Sequence, residues 1–201
     1  ANLTGNNLSN VIYAGAGNNV LSGGTGTEID TVSYAYGLSG TTGVTVDLSA
    51  TAAQATVGSG SDTLSKIENV IGSAYADKLT GSSGTNVLTG GAGADILKGN
   101  GGNDIFDFNA LAEMGTSFVT WDVISDFNFG DKIDLSTLDA NTATTTNDAF
   151  NGTLVTAFTA AGQLKLLTGV LYGNTDANYA TAEFAIQLTG VNTLTAADFV
   201  V

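Results

Sequence analysis

From Gly72 to Asp107 an apolar residue recurs at every ninth position: Leu79, Leu88, Leu97 and Phe106. Two places before each stands Asp77, Asn86, Asp95 or Asp104, and Gly72, Gly81, Gly90 and Gly99 open the units. The four read GSAYADKLT, GSSGTNVLT, GGAGADILK and GNGGNDIFD. A fixed period of this length predicts one structural unit stacked on copies of itself. The first six places predict a turn, where glycine permits positive φ and leaves carbonyls uncovered. The last three predict a short strand whose middle side chain points inward. Two units make one coil, so Asp77 is predicted to face Asp95, and Asn86 to face Asp104. The expected fold class is all-β, a solenoid.

The same period runs through residues 1–34, with Asn10, Asn19 and Asp30 at the sixth place and Ile12, Leu21 and Val32 pointing inward. The chain thus begins inside an array, as expected of a fragment of a longer protein. Residues 35–56 break the period: GVTVDLS alternates as a strand and TAAQAT reads as a surface loop. Asp47 is expected to be an ordinary strand-end acid. Asp62 restores the phase, with Leu64 inward; Glu68 is a ligand or a solvated acid. Residues 108–139 are expected to close the array. FNALAEMG is a short helix or an irregular cap, WDVISDF a strand in register, and Trp121, Phe127 and Phe129 are expected to cover the open end of the core. Eighteen residues after Asp104 stands Asp122, and eighteen after Asp95 stands Glu113. From Gly152 the pattern is strands, with Leu164, Leu166, Leu171, Phe184, Ile186 and Leu188 on the buried face.

Composition narrows the chemistry. The 201 residues include 27 Gly but no Pro, Cys or His, and the net charge is −14. Without Cys there are no disulfides and no thiolate sites. Without His there is no zinc-protease motif and no His-based triad. The acidity disfavours nucleic acid and anionic membranes as partners. No stretch is apolar for long enough to predict a transmembrane helix, and ANLTGNNLSN does not read as a signal peptide. Paired carboxylates can cleave or epimerise polysaccharides, but here the acids keep repeat spacing and no nucleophile motif accompanies them, so no enzyme activity is expected.

The nonapeptides resemble the calcium-binding repeat of RTX proteins, G-G-x-G-x-D-x-U-x. Physical chemistry supports what the resemblance implies. Carboxylates stacked one strand spacing apart repel each other. Ca²⁺ removes the repulsion by taking six to eight oxygens from carboxylates, amides and carbonyls. The side-chain ligands expected on this basis are Asn10, Asn19, Asp30, Asp62, Asp77, Asn86, Asp95, Asp104, Asp122 and Glu113. The backbone ligands expected are the carbonyls of Gly90, Gly91, Ala92, Gly93, Gly99, Gly101 and Gly102. Roughly four to seven ions are expected, weaker where Asn replaces Asp.

Taken with SDTLSKIENVIGS, WDVISDFNFGDKIDLS and FAIQLTGVNTLTAADFVV, residues 57–201 resemble the C-terminal domain of serralysin-type RTX proteins exported by bacterial type I secretion. That resemblance implies a parallel β-roll over residues 1–107, with the excursion at 35–56, and a β-rich cap and secretion region over 108–201. It also implies an uncleaved secretion signal ending in Asp198, Phe199, Val200 and Val201. The partners implied are the type I machinery and a passenger domain N-terminal to this segment, and the location is extracellular or on the cell surface. Relatives often carry a D-G-D-G-like run where this chain has NTDANYATAEF. A structural module of a surface layer or adhesin, with self-association, is the alternative function.

Overall fold

The computed structural model describes residues 1–36, 38 and 40–201, so positions 37 and 39 of the expected excursion lie outside the described residues. In chain order the strands are β1 (Asn2–Thr4), β2 (Val11–Tyr13), β3 (Val20–Ser22), β4 (Thr31–Ser33), β5 (Thr45–Asp47), β6 (Gln54–Ala55), β7 (Ser61–Ser65), β8 (Asn69–Ile71) and β9 (Lys78–Thr80). They continue as β10 (Val87–Thr89), β11 (Ile96–Lys98), β12 (Ile105–Asp107), β13 (Asp122–Ile124), β14 (Lys132–Asp134), β15 (Gln163–Leu167), β16 (Val170–Asn174), β17 (Phe184–Leu188) and β18 (Phe199–Val200). A 3-10 turn, Ala196–Asp198, precedes β18.

The strands form a two-faced parallel β-roll. One face is a seven-stranded sheet in the order β18-β14-β12-β10-β8-β4-β2, parallel throughout. The other carries the parallel run β1-β3-β7 and the parallel run β5-β9-β11-β13-β17, followed by antiparallel β16 and β15. The chain crosses from face to face at every turn of the array. Leu79 lies over Leu97 and Leu88 over Phe106. A three-residue strand of the array turns its middle side chain inward, and that position is filled by Leu21, Val32, Val70, Leu79, Leu88, Leu97, Phe106 and Ile133, all fully buried; β13 instead buries its two ends, Asp122 and Ile124. Their neighbours Ile96 and Lys98 stay exposed. Each such burial contributes about 1.5–3 kcal/mol, and the stack makes these contributions continuous.

The excursion is built into the roll. Val46 of β5 pairs with Leu79 and is fully buried. β6 pairs antiparallel with β7, Gln54 opposite Asp62. Part of the expected surface loop TAAQAT is therefore a strand, and Thr56 after it is buried. On the opposite face β4 pairs directly with β8, so the insertion enlarges one face only.

The closing end differs from the sequence expectation. Phe129 is completely exposed and covers nothing. Trp121 and Phe127 are only partly buried, Phe127 resting on Phe106 with ring centroids 6.1 Å apart. Closure comes instead from the β15–β16–β17 meander, where Phe150 meets Phe184 edge-on at 5.7 Å, and from β18, whose Phe199 pairs with Ile133. FNALAEMG forms an irregular turn, and Glu113 accepts hydrogen bonds from the Asn109 and Ala110 N–H groups. Both long sheets run past Asp107 into these C-terminal strands.

Candidate metal centre in the turns

Each place-six acid sits at the mouth of a turn, and the coil repeat stacks these acids into two columns. In one, Asp77 N–H donates to Asp95 Oδ1 at 2.7 Å and Asp95 N–H to Asp122 Oδ1 at 2.8 Å. In the other, Asn10 N–H donates to Asp30 Oδ1, Asp30 N–H to Glu68 Oε2, Asn86 N–H to Asp104 Oδ1, and Asp104 N–H to Asp131 Oδ1, at 2.8–2.9 Å. One carboxylate oxygen is thus spent on holding the neighbouring coil.

In three of these acids the second oxygen is left over, whereas in Asp77 and Asp131 it accepts from the Ser73 and Asn128 N–H groups. Asp95 Oδ2, Asp104 Oδ2 and Asp122 Oδ2 are buried and accept no hydrogen bond. An unpartnered buried acceptor costs about 1–3 kcal/mol, and a charged one more. Burial accordingly pushes the Asp95 carboxyl up to about 8, against the Asp77 N–H bond and with help from the charges of Asp122, Asp77 and Glu113. Burial likewise raises Asp122 to about 7 and Asp104 to about 6, and it raises Asp77 as well.

The leading glycines keep the space beside these oxygens open. A Cβ on Gly90 would strike Asp95 Oδ2, and one on Gly99 would strike Asp104 Oδ2. Carbonyls enter the same space. Gly72 is flanked by Asp77 Oδ2 and the Gly90 carbonyl, Gly81 by Asn86 Oδ1 and the Gly99 carbonyl, and Gly5 by Asn10 Oδ1 and the Gly23 carbonyl. Gly91, Gly93 and Gly102 hold positive φ, 90°, 142° and 118°, and a Cβ on any of them would strike the backbone of the turn one coil back. A Cβ on Gly101 would stand clear, 3.7 Å from the Ser83 carbonyl, and Ala92 is exposed at the turn tip. Among the described residues no three acidic side chains converge on one point. The donor set is therefore one or two carboxylates plus carbonyls. Hard oxygen donors with no sulfur or imidazole suit Ca²⁺, and the orphaned Oδ2 atoms are where a cation would be taken up.

Other expected ligands are placed differently. Asp62 is fully buried with both oxygens engaged: Oδ1 accepts from Asn19 N–H and Asn19 Nδ2, and Oδ2 from the Tyr34 and Thr56 hydroxyls. Burial, then the Asp62 charge, raise the Tyr34 phenol far above its ordinary value. The Asn19 amide donates to the Gly15 and Gly17 carbonyls at 2.9 and 2.7 Å, so a neutral N–H₂ fills the turn there. Asn10 is tied to Asn6 through both amide atoms. Asn86 accepts from Ser82 N–H at 2.7 Å.

The phase past Asp107 also differs. Asp122 stacks on Asp95, not Asp104, because the turn after β12 adds nine residues and the step becomes 27. Glu113, which the eighteen-residue count placed over Asp95, lies beside the column as the cap of its own turn. Asp131 takes the place over Asp104, and Asp126 accepts from Gly99 N–H and Asn100 N–H. Sequence reasoning missed both; the signal for Asp131 was the triplet Asp131-Lys132-Ile133, which repeats the D-x-U of Asp104-Ile105-Phe106. Glu68, left open by the sequence, stands in the second column. At the C-terminus Asp198 caps the 3-10 turn through Thr195, Phe199 is buried, Val200 pairs with Asp134, and Val201 is exposed.

A family model described as peptidase M10 serralysin C terminal matches residues 10–201. The chain belongs to the serralysin C-terminal family. The roll with oxygen-lined turns is thus the RTX repeat domain of that family. Among solved structures, the AlgE6R3 subunit of the Azotobacter vinelandii mannuronan C5-epimerase is similar at 20% identity and a TM-score of 0.38, covering 98% of this chain and 80% of that one. The extracellular lipase LipA of Serratia marcescens is similar at 16% identity and a TM-score of 0.34, and this chain, covered in full, spans 40% of the lipase. No curated relative matches. No described helix is long and apolar enough to cross a membrane.

Proposed function

We propose that this serralysin-type domain binds several calcium ions in its turns, folds when it meets extracellular calcium, and carries the type I secretion signal of a larger exported protein. The observation that carries the reading is the set of three buried carboxylate oxygens without a partner, on Asp95, Asp104 and Asp122. In a cell with little free calcium these carboxylates oppose folding. Outside, about millimolar Ca²⁺ meets sites with dissociation constants of roughly 10⁻⁴–10⁻³ M. At ten times the dissociation constant each ion adds about 1.4 kcal/mol. Four ions contribute roughly 5–6 kcal/mol, comparable to the stability of a small domain.

The ligands in this reading are Asp95, Asp104 and Asp122, with Asp30 and the carbonyls of Gly90 and Gly99; Asp77 and Asp131, whose two oxygens already accept hydrogen bonds, would exchange one of those bonds for the ion. Ion-free turns at Asn19 and Asp62 put the number near the low end of roughly four to seven. The C-terminus supports the order of events. Phe199 is the last inward residue of one face and Asp198 caps the turn before it. A receptor that reads the Phe199 side chain meets it in the unfolded chain, because the folded roll buries it, which favours export before folding. Equilibrium dialysis against calcium chloride with elemental analysis tests the reading. Several ions per chain, reduced in Asp95→Asn and Asp104→Asn, are expected; none bound to the wild type overturns it.

A further inference from the structure

Two asparagines in the chain are followed by glycine, Asn100 and Asn151. Such a pair carries a latent reaction. The nitrogen of the next residue can attack the side-chain Cγ, and glycine, without a Cβ, does not obstruct the approach. The structure treats the two steps differently. Asn100 is held in its turn: its N–H donates to Asp126 Oδ2 at 2.9 Å and its Nδ2 to the Gly81 carbonyl at 2.8 Å. The Gly101 N–H points at the Ser82 carbonyl, 3.4 Å away. The leaving nitrogen and the attacking nitrogen are both engaged. Asn151 is exposed, in the loop before the closing meander. Its Oδ1 accepts from the Thr153 N–H at 2.9 Å. That turn closes over the Gly152 amide and brings Cγ back toward the Gly152 nitrogen. Among the described residues neither the Gly152 N–H nor Asn151 Nδ2 has an acceptor.

We propose that Asn151 is a self-modifying site that deamidates in the folded protein, while Asn100 is held inert. The Gly152 nitrogen bonds to Asn151 Cγ, the bond from Cγ to Nδ2 breaks, and Nδ2 leaves as ammonia with the proton from Gly152. The Thr153 N–H, already bound to Oδ1, stabilises the oxyanion formed on the way. Water then opens the cyclic imide at either carbonyl, giving aspartate or isoaspartate; nothing is oxidised or reduced. Either product adds one negative charge. Isoaspartate also routes the main chain through the side chain and lengthens it by one atom. The position magnifies that change. Phe150, one residue before, packs edge-on against Phe184. Gly152, one residue after, is buried at φ 65° with Val201 and Ala196 beside it. The extra atom thus falls between two anchors of the closing end.

Ageing the full chain in saturating calcium chloride at mildly alkaline pH, followed by peptide mass spectrometry, tests this. A parallel sample in denaturant sets the rate of the free chain. The Asn151 peptide is expected to convert to both aspartate and isoaspartate. The Asn100 peptide is expected to convert at least roughly tenfold more slowly, a barrier difference of about 1.4 kcal/mol. In denaturant the two rates should agree. Conversion confined to the denatured sample, or equal at both asparagines in the folded one, overturns the proposal. Aspartate without isoaspartate overturns the imide step. Asn151→Asp is expected to melt with the wild type, because its carboxylate accepts the same Thr153 bond, whereas aged protein melts lower. An unchanged melting temperature in fully converted protein overturns the effect on the closing end.

Discussion

The acids in the turns differ in how their two oxygens are partnered, and that difference sorts the residues. Asp95 gives Oδ1 to the next coil and has no partner for Oδ2, whereas Asp62 has donors for both. Asp95→Asn should therefore weaken the calcium response, moving the folding midpoint to higher calcium, yet leave the calcium-free chain no less stable. Asp62→Ala should cost about 2–4 kcal/mol with or without calcium, because it strands Tyr34, Thr56 and Asn19. Chemical denaturation in chelator at about pH 5, where these carboxyls are protonated and the ion-free roll is most stable, and in saturating calcium at neutral pH separates the two. The pH dependence follows from the same atoms. Folded-state values of about 8, 7 and 6 for Asp95, Asp122 and Asp104 stand above the ordinary 3.8. The calcium-free roll then holds protons that the unfolded chain has released. Stability from these groups is fully present below about pH 4 and is lost as pH rises through 6 to 8. Melting in chelator should fall between about pH 5 and pH 8, and saturating calcium, which replaces the protons, should remove that slope. The column at Asp77–Asp95 and Asn86–Asp104 was legible because one number, the period, defines it. The hub at Asp62 was not, since Tyr34 and Thr56 come from the aperiodic stretch.

Among elements, the three-residue strand is the unit of the core, and its middle position carries the energy. Leu97→Ala should cost about 2–5 kcal/mol. Ile96→Ala, on the outward face of the same strand and 44% exposed, should stay within about 0.5 kcal/mol. Urea denaturation in saturating calcium checks the contrast. Every inward residue of the four central repeats could be read from the sequence, because the strand alternates and only one of three positions faces in. The placement of β5 could not. Its alternation predicts a strand within residues 43–49, but its slot against β9, on the face opposite the direct β4–β8 pair, is set by long-range pairing. The step of 27 past Asp107 escaped for a similar reason: the turn at 108–121 keeps no period, so counting in eighteens placed Asp122 and Glu113 one unit off.

For the whole molecule, the two faces share one core and end on the meander and β18. A chain cut after Asp139 would leave the edges of β13 and β14 open, so it should self-associate in calcium, as size-exclusion chromatography would show; a monomeric, folded truncation would contradict the closing role of β15–β18. Of the aromatic residues that the sequence offered for this role, Phe127 packs on Phe106, Trp121 is partly buried and Phe129 points into solvent. That error has a physical source, since a cap is defined by long-range pairing and not by local pattern. The central claim is that the roll is completed by calcium, and far-ultraviolet circular dichroism during a calcium titration tests it most directly, with magnesium as the control. The account predicts little β structure in chelator at neutral pH, a cooperative gain near millimolar calcium, and no gain with magnesium. A full β spectrum in chelator, unchanged by calcium, would contradict it.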